Sequence, residues 1–516
     1  MAAQAAEPDQ AELLAALGAW TAGQGPLYHR LARALRLAIE RGDLPPGTTL
    51  PPERRLAPVL AVGRGTVVAA YETLRQAQLV DRRQGSGTRV LGEVRAPRAR
   101  RGLEQPRSEP PALSRPSPPP DRPVGRTTFF RRLAEGDSLG TIDLVGAYLL
   151  GPGGLPPLAL EGVTEELLRL TDTSGYLPRG YAPLRTAIAE HLSRGGLPTT
   201  PDQVLVTGGA QQALDLLARH LVQPGLDVVL EDPTYPGAID VLESAGGRLV
   251  AVPTGRQGVD VGALSDLVGG PGARLMYLIP TFHNPVGGLL SERRRREVAR
   301  LLDFNPHTLT LIEDASVCEL VLDDGAEPPP PIAAYAPRGA RVFLVGSTSK
   351  LFWGGLRVGW IRAPEPLIAQ LERFKTVTDL GGSLPSQVIA ARLFEHLPAV
   401  RELRRRQLTE RLRLVEGLLH TLLPTWTWEH PLGGACLWVK LPYGHANQLA
   451  QLALRHGVSV VPGPVASPHG GFGDYLRLPF SLEPDALEEG LRRLARAWAA
   501  YQPSIEPGRQ SLSVVV

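Results

Sequence analysis

Apolar residues near the start of the chain recur with a helical period. In residues 27–41, LYHRLARALRLAIER, the side chains of Leu27, Leu31, Leu35 and Ile39 follow one another at steps of four. Residues four apart lie on one face of an α-helix, so this pattern predicts a helix with a single apolar stripe. The Gly and Pro residues that follow predict the end of that helix.

Two shorter helices and a hairpin are predicted next. Residues 53–61 and 64–77 form the predicted helices, and residues 79–90 form two predicted strands around the sequence QGSG. A helix, a helix-turn-helix and a glycine-tipped hairpin, in this order, are typical of a winged helix-turn-helix DNA-binding domain. We therefore assign residues 20–92 to such a domain.

The next stretch of the chain lacks apolar periodicity. Residues 93–138 are rich in Pro, Arg and Ser and include the run RPSPPPDRP. This composition predicts a stiff, solvated linker.

From residue 139 onward, short apolar runs alternate with helical patterns. The predicted strands are Val204–Thr207, Val228–Glu231, Leu249–Val252, Leu275–Pro280, Thr308–Glu313 and Val342–Val345, with helices such as Gln211–Leu221 and Glu292–Leu302 between them. Such alternation predicts an α/β domain whose largely parallel sheet is covered on both faces, here residues 139–380. Longer helices and predicted strands near 434–440, 458–461 and 475–480 indicate a smaller α+β lobe over residues 381–505.

The charge of the chain is unevenly distributed. The formal net charge is +3, yet residues 25–133 hold 21 Arg against 9 acidic residues, a local charge of +12. This excess favours a polyanionic partner, double-stranded DNA, although a solvated basic face would look the same. Only three lysines, Lys350, Lys375 and Lys440, stand against 52 arginines. Each lysine is therefore informative, because Arg cannot form a Schiff base.

Other classes of protein are disfavoured by composition. Two cysteines, Cys318 and Cys436, cannot build a disulfide framework, and no metal-ligand spacing is present. The N-terminus lacks the basic region of a signal peptide, and no run of 18 apolar residues marks a membrane span. We expect a cytoplasmic protein with no metal and no membrane partner.

Candidate DNA contacts cluster in the predicted winged domain. The side chains of Arg64 and Thr66 open the second short helix, where they would reach bases and phosphates. Each of these features alone is weak evidence, and an arginine such as Arg64 is by itself more often an ordinary surface residue. The full set is Arg54, Arg55, Arg64, Thr66, Gly85, Ser86 and Gly87.

A second constellation fits the needs of pyridoxal 5'-phosphate (PLP). The cofactor requires a lysine for its aldehyde, an acid at the pyridine nitrogen, a donor to the phenolate oxygen and a ring-stacking group. Lys350 in GSTSKLFWGG, Asp314 after a strand, Asn284 in HNPVGG and Tyr235 in DPTYPG are the candidates. Read singly, the last three are equally well a strand-end cap, an Asn-Pro turn and a core tyrosine. For Lys350, the rarity of lysine and the flanking sequence disfavour an ordinary loop lysine.

The PLP phosphate also needs a binding cup. The segment VLVTGGAQQALDLLAR runs from a strand through a Gly-rich turn into a helix, whose N-terminus would bind a phosphate. It is not the GxGxxG fingerprint of a dinucleotide site. The candidate cup residues are Gly209, Ala210, Gln211, Ser347, Ser349 and Arg357.

Taken together, these motifs resemble two known families. Residues 27–90 are similar to the GntR family of bacterial regulators, and residues from about 140 to 500 resemble fold-type I PLP enzymes of the aspartate aminotransferase group. A GntR domain joined by a linker to such a domain resembles the MocR subgroup, which implies homodimers with exchanged DNA-binding domains. The resemblance implies a Schiff base of Lys350 with PLP, a carboxylate contact from Arg477, and a phosphate contact from Tyr176 of a second subunit.

The chain departs from these families at a few positions. Three residues after Asp314, where the enzymes usually carry a tyrosine that donates to the phenolate oxygen, this chain has Val317. Val286 replaces a threonine in the Asn-Pro turn, and Gly65 follows Arg64 where the family often has a polar residue. Loss of the tyrosine puts catalytic turnover in doubt without removing the groups that bind the cofactor.

Three functional hypotheses follow. The first is a transcription regulator whose aminotransferase-like domain senses PLP or an amino-acid adduct. The second is an active aminotransferase that carries a DNA-binding module. The third is a PLP-free scaffold, which has no use for Lys350, Asp314, Asn284 and Arg357 together.

Overall fold

The computed structural model describes residues 10–18, 20, 26–83, 87–91, 140–149, 156–269, 273–304, 309–322 and 327–501. The chain divides into two compact units, residues 1–128 and 129–516. The linker predicted at 93–138 and the wing residues Gly85 and Ser86 lie outside the described residues. The domain boundaries at 92, 138 and 380 stay predictions.

The first unit has the predicted order of elements. Its helices are α1 (Gln10–Leu17), α2 (Leu27–Arg41), α3 (Glu53–Val59) and α4 (Arg64–Gln76). Its antiparallel sheet has the order β1-β3-β2, from β1 (Thr49–Leu50), β2 (Val80–Arg83) and β3 (Gly87–Val90). The predicted helices and hairpin are confirmed, whereas α1 was not predicted.

The core of this unit is aliphatic. Leu31 and Leu35 of α2 and Val67 of α4 are fully buried, and burying such side chains supplies most of the driving force for folding. Leu13 and Leu17 of α1 belong to the same core. Helix α1 thus packs with the winged domain although it precedes residue 20, where we predicted the domain to begin.

The second unit is built on an eight-stranded sheet with the order β5-β12-β11-β10-β9-β6-β7-β8. Its strands are β5 (Val204–Thr207), β6 (Asp227–Asp232), β7 (Arg248–Gly255), β8 (Gly258–Val259), β9 (Ala273–Leu278), β10 (Thr310–Asp314), β11 (Arg341–Ser347) and β12 (Gly359–Arg362). Strand β4 (Ile142–Leu144) belongs to the smaller sheet described below. The pairs among β7, β6, β9, β10 and β11 are parallel, as predicted, while β12 and β8 pair antiparallel.

Helices separate most of these strands. They are α5 (Val163–Leu170), α6 (Ala182–Arg194), α7 (Ala210–Leu221), α8 (Pro236–Ser244), α9 (Val261–Val268), α10 (Glu292–Phe304), α11 (Glu365–Asp379) and α12 (Leu384–Glu395). Two separate apolar cores contain residues of the sheet strands together with α7 and α8 in one and α9 and α10 in the other. These cores confirm the doubly covered sheet.

A smaller sheet forms the rest of the unit. Its order is β13-β14-β16-β15-β4, with β13 (Thr427–Trp428), β14 (Cys436–Lys440), β15 (Val458–Pro462) and β16 (Tyr475–Pro479). Helices α13 (Leu397–Leu422), α14 (Ala446–Arg455) and α15 (Pro484–Ala499) accompany it. Strand β4 pairs parallel with β15, so this sheet also includes the first described strand after the predicted linker.

Strand register brings two loops of the larger sheet side by side. Gly359 of β12 lies opposite Thr207 of β5 and opposite Ser347 of β11. The segments that leave Thr207 and Ser347 therefore start next to each other. A Cβ on Gly359 would lie 2.7 Å from the Gly209 backbone, so only glycine permits this close approach.

The described helices vary in length and in apolar content. None of them is long and apolar enough to cross a membrane.

Candidate functional site

The candidate cofactor residues lie at one edge of the larger sheet. Parallel strands place their carboxyl ends on the same side, where α/β proteins bind ligands. Tyr235 follows β6, Asn284 follows β9, Asp314 ends β10 and Lys350 follows β11. The topology thus brings together residues that are far apart in sequence.

The Lys350 side chain points toward the segment that follows β4. Its Nζ donates a hydrogen bond to the carbonyl oxygen of Ala147 over 2.7 Å. Burial, reinforced by the positive charge of Arg477, lowers the pKa of Lys350 to about 8. A neutral amine is the form that attacks an aldehyde, so this environment suits a lysine that forms a covalent bond with one.

Asp314 is held by two hydrogen bonds at the end of β10. Its Oδ1 accepts from the backbone N–H of Ser316 over 2.9 Å, and its Oδ2 accepts from the hydroxyl of Tyr277 over 2.7 Å. Burial and the neighbouring Asp314 charge raise the pKa of Tyr277 well above its usual value, so Tyr277 remains a donor. Asp314 is thereby fixed with a defined orientation.

Asn284 and Arg477 are in direct contact. Arg477 donates from Nε to Asn284 Oδ1 over 3.0 Å and from Nη1 to the carbonyl oxygen of Val145 over 2.9 Å. Arg477 is buried in β16 and lines one cavity together with Asn284, Lys350 and Val317. Arg477, the candidate contact for a carboxylate, and Asn284, the candidate contact for the phenolate oxygen, therefore line the same cavity.

The predicted phosphate cup assembles at the start of α7. The first N–H groups of a helix lack intrahelical partners, so Ala210 and Gln211 open the helix with donors available to an anion. Arg357 Nη2 donates to Gly208 O over 2.6 Å. Gly209 has φ +110°, and a Cβ there would lie 2.9 Å from Arg357 Nη2, so glycine is required where the guanidinium crosses.

The serines of the cup are linked to each other. Ser347 Oγ and Ser349 Oγ are 3.0 Å apart, and Ser347 Oγ also accepts from the Ser349 backbone N–H over 3.1 Å. Because β12 lies between β5 and β11, this pair of hydroxyls is one strand away from the Gly208–Gly209 turn. Two hydroxyls, a guanidinium and a helix N-terminus are suitable ligands for a phosphate.

Tyr235 and Gln211 interact beside the cup. The Tyr235 hydroxyl donates to Gln211 Oε1 over 3.2 Å, and Gln211 Nε2 donates to the Gly237 carbonyl oxygen over 3.0 Å. Burial and the charge of Asp314 raise the pKa of Tyr235. Tyr235 is therefore a fixed, neutral aromatic ring, and Gln211 offers the cup its backbone rather than its side chain.

Two further predicted positions differ in exposure. Tyr176 is 64% exposed. Val317 lines the cavity of Lys350 and has no hydrogen-bonding group. The tyrosine hydroxyl that the enzymes place in this segment is therefore absent at position 317.

The candidate DNA contacts lie on the surface of the first unit. Arg54 and Arg55 are exposed at the start of α3, and Arg64 is exposed at the first residue of α4. Thr66 is partly buried in the first turn of α4, and its N–H donates to Gly63 O. Gly87 starts β3 with φ +80°, a backbone angle that favours glycine.

Sequence reasoning missed three participants of the second-unit site. These are Tyr277, which holds Asp314, Ala147, which accepts from Lys350, and Gln212, whose Oε1 accepts from the backbone N–H of Gly208. Tyr277 interrupts the aliphatic run LMYLIP, which was a signal that its hydroxyl has a buried partner. No local signal marks the other two.

Comparison with known proteins gives the same division of the chain. Residues 27–90 match the family of bacterial regulatory proteins called gntR, and residues 145–494 match aminotransferase class I and II. The HTH-type transcriptional regulator YdfD of Bacillus subtilis is 31% identical over 488 residues, covering 91% of this chain and 95% of that protein. The probable rhizopine catabolism regulatory protein MocR of Rhizobium meliloti is 30% identical and covers 72% of each chain.

A solved structure extends the comparison to the fold. LysN, the α-aminoadipate aminotransferase of Thermus thermophilus, solved with N-(5'-phosphopyridoxyl)-L-leucine, has a TM-score of 0.64 at 30% identity. The match covers 72% of this chain and 94% of the LysN chain. The fold and the matched families define a transcription regulator in which a winged helix-turn-helix is fused to an aminotransferase domain. The chain belongs to the GntR family, in its MocR subgroup.

Proposed function

We propose that this regulator binds PLP at Lys350 and that its affinity for double-stranded DNA responds to PLP or to an amino compound bound beside it. One observation carries the proposal. Lys350 and Arg477, the residues expected to bind the cofactor and a carboxylate, both donate to the segment Val145–Ala147. The state of the ligand site is thus linked to the chain segment that follows the linker from the DNA-binding domain.

The residues present fit the cofactor. Lys350 would bind its aldehyde, Asp314 its pyridine nitrogen and Asn284 its phenolate oxygen, while Tyr235 would stack on the ring. The phosphate would lie in the cup formed by Gly209, Ala210, Gln211, Ser347, Ser349 and Arg357. When bound, PLP supplies a reactive aldehyde and an electron-accepting ring.

An unsatisfied hydroxyl near Lys350 supports this fit. Ser316 Oγ is buried and has no hydrogen-bond partner among the described residues. Ser316 and Lys350 line the same cavity. Because a buried hydroxyl without a partner costs free energy, a polar ligand atom in this cavity would compensate for it.

Sensing follows from competition for two donors. A ligand bound to Lys350 would take over the amine that now donates to Ala147, and a carboxylate on Arg477 would compete with Val145 for the guanidinium. Either event removes a contact that holds the Val145–Ala147 segment. A ligand shifts a conformational equilibrium only by its differential affinity for the two states, and this exchange of partners provides a differential contact.

DNA binding is proposed for the exposed basic surface of the first unit. Arg64 and Thr66 lie in the first turn of α4, the end that a winged helix-turn-helix inserts into the major groove. Arg54 and Arg55 at the start of α3 would bind the phosphate backbone. The wing residues Gly85, Ser86 and Gly87 would approach the adjacent phosphates.

We also propose a homodimer with exchanged DNA-binding domains. Large apolar side chains are exposed on α11 and just after it, where Val377 is 90% and Leu380 is 50% exposed. Apolar groups exposed in this way favour burial against another protein. The exposed Tyr176 would reach the phosphate of the second copy.

An active aminotransferase is the second candidate. Lys350 and Arg477 share a cavity, which would allow a lysine to move protons on a substrate held by its carboxylate. Val317 argues against efficient turnover, because losing one donor to a developing charge costs about 10²–10³ in rate. The regulator is therefore our first choice.

The absorption spectrum of the full chain mixed with PLP tests cofactor binding. We expect a visible band that remains after unbound PLP is removed, and its absence in Lys350→Ala treated in the same way, at unchanged far-ultraviolet circular dichroism. Borohydride reduction followed by peptide mapping should place the cofactor on Lys350. Attachment at Lys375 or Lys440 instead would overturn the assignment.

A further inference from the structure

A buried lysine lies behind the proposed phosphate cup. Lys375, on α11, is 1% exposed, and its Nζ donates to Asp379 Oδ1 over 2.8 Å. The same oxygen accepts from the backbone N–H of Gly381 over 3.0 Å. The chain has only three lysines, so a fully enclosed one paired with a carboxylate is an unusual feature that PLP attachment does not explain.

Hydrogen bonds connect this ion pair to the cup. Asp379 Oδ2 accepts from Gln212 Nε2 over 2.9 Å, and Gln212 Oε1 accepts from the backbone N–H of Gly208. A carboxylate can only accept, so Asp379 fixes which end of the Gln212 amide faces it. The amide oxygen is therefore directed at Gly208.

Side chains hold both backbone polar groups of Gly208. Gln212 accepts from its N–H, and Arg357 Nη2 donates to its carbonyl oxygen over 2.6 Å. These two contacts fix the peptide planes on either side of Gly208. The N–H of Gly209 lies in the second of these planes, so the same contacts set its direction and the start of the turn that leads to Ala210.

Electrostatics explain why Asp379 is accompanied by a cation. The Asp379 side chain is 23% exposed and that of Lys375 is 2% exposed, so solvent screens the pair weakly. One glutamine side chain separates the carboxylate from the cup. Without Lys375, a negative charge would remain near the site of a phosphate dianion, and repulsion is strong in a partly buried environment.

We propose that Lys375, Asp379 and Gln212 are positioning residues that orient the Gly208–Ala210 backbone and neutralise its surroundings, so that the site selects a phosphorylated ligand over the same ligand without phosphate. This inference rests on the proposed binding of PLP. None of the three side chains needs to touch the ligand. The inference extends the cup beyond the residues that line it.

The test compares the full-length protein's dissociation constants for PLP and for pyridoxal, which lacks the phosphate. The dissociation constant for pyridoxal divided by that for PLP measures phosphate selectivity, whereas a general loss of structure weakens the binding of both ligands alike. We expect Lys375→Met to lower the ratio about tenfold. Lys375→Met combined with Asp379→Asn should recover part of it, because the unpaired charge is gone while the carboxylate that orients Gln212 is also lost.

Two other variants complete the experiment. Gln212→Met removes the acceptor of Gly208 and should lower the ratio with no change of charge. Lys440→Met is the matched control, since Lys440 is half exposed in β14 and pairs with Asp474 at 3.7 Å, and it should leave the ratio unchanged. If Lys375→Met does not fold, the double variant and Gln212→Met decide the question.

The outcomes separate this inference from the proposed function. If wild type binds PLP but every folded variant keeps the wild-type ratio, the positioning role is wrong and the cofactor assignment stands. If wild type binds neither ligand, the proposed function itself fails. Equal losses for PLP and pyridoxal would show a merely structural role and would also overturn the inference.

Discussion

Arg477 and Asn284 are joined by a 3.0 Å hydrogen bond from Nε to Oδ1, across 193 residues of sequence. The bond links the residue proposed to bind an effector carboxylate with the residue proposed to bind the cofactor ring. A carboxylate that shifts Arg477 must therefore also change the partner of Asn284. This coupling gives the site a way to report whether an amino compound accompanies PLP.

The first prediction concerns this bond. Asn284→Ala should remove one of the two hydrogen-bond partners of Arg477 described above. The amino-acid concentration needed for half of the change in the PLP spectrum should then rise about tenfold, since a hydrogen bond to a charged group contributes about 1.5–3 kcal/mol. Titration of PLP-loaded protein with an amino acid measures this. Arg477→Lys is the companion variant. It should respond to the amino acid at least as weakly, because Lys lacks the planar guanidinium that binds a carboxylate through two hydrogen bonds. Unchanged titrations in both variants would contradict the proposed carboxylate contact.

The second prediction is a pH dependence. Burial disfavours the charged form of Lys350, which lowers its pKa to about 8, so the reactive neutral amine increases with pH through that value. The rate of covalent PLP capture should rise about tenfold per pH unit below 8 and level off above it. Stopped-flow absorbance at several pH values tests this. A rate that keeps rising toward the ordinary lysine pKa would show that the amine is not buried in solution.

The third prediction concerns base reading by α4. Arg64→Ala should reduce affinity for specific DNA by about 1–3 kcal/mol if the guanidinium reads a base, and should relax specificity at one position. Fluorescence anisotropy with a duplex selected from a random pool by the protein itself measures both effects. Arg75→Ala is the control, because Arg75 is bound to Glu72 near the end of the same helix. Equal losses for the two variants would refute a specific role of Arg64.

The fourth prediction follows from the basic excess in the first quarter of the chain. Residues 25–133 carry 21 Arg against 9 acidic residues, so DNA binding should release counterions and weaken with salt. We expect a loss on the order of 10²-fold between about 50 and 200 mM monovalent salt. If the DNA affinity in the same anisotropy assay did not change with salt concentration, the basic excess would have no function in DNA binding.

Local patterns predicted most of the helices and strands, and they singled out the candidate site residues. Apolar runs such as Val204–Thr207 form the strands where they were expected, and the stripe through Leu31 and Leu35 is the buried face of α2. Gly-rich and Asn-Pro segments led to Gly209 and Asn284. These features depend on neighbours in sequence, which a single sequence displays.

What sequence reasoning missed depends on tertiary contacts. Tyr277 donates to Asp314 across 37 residues, and Lys350 donates to Ala147 across 203 residues. Neither pair leaves a periodic pattern. Strand β12 was also missed, because its residues GWIR do not form a continuous apolar run and because it pairs antiparallel within a mostly parallel sheet.

The most direct test of the central claim is the DNA affinity of the full chain in different ligand states. The dissociation constant for the selected duplex would be measured at fixed salt without PLP, with PLP, and with PLP plus each common amino acid. The account predicts that at least one state differs by about fivefold or more, as is typical of coupled sites, and that Lys350→Ala abolishes the difference. Identical DNA affinity and bending in every state, together with rapid repeated formation of keto acid, would contradict the account and identify the chain as a working aminotransferase.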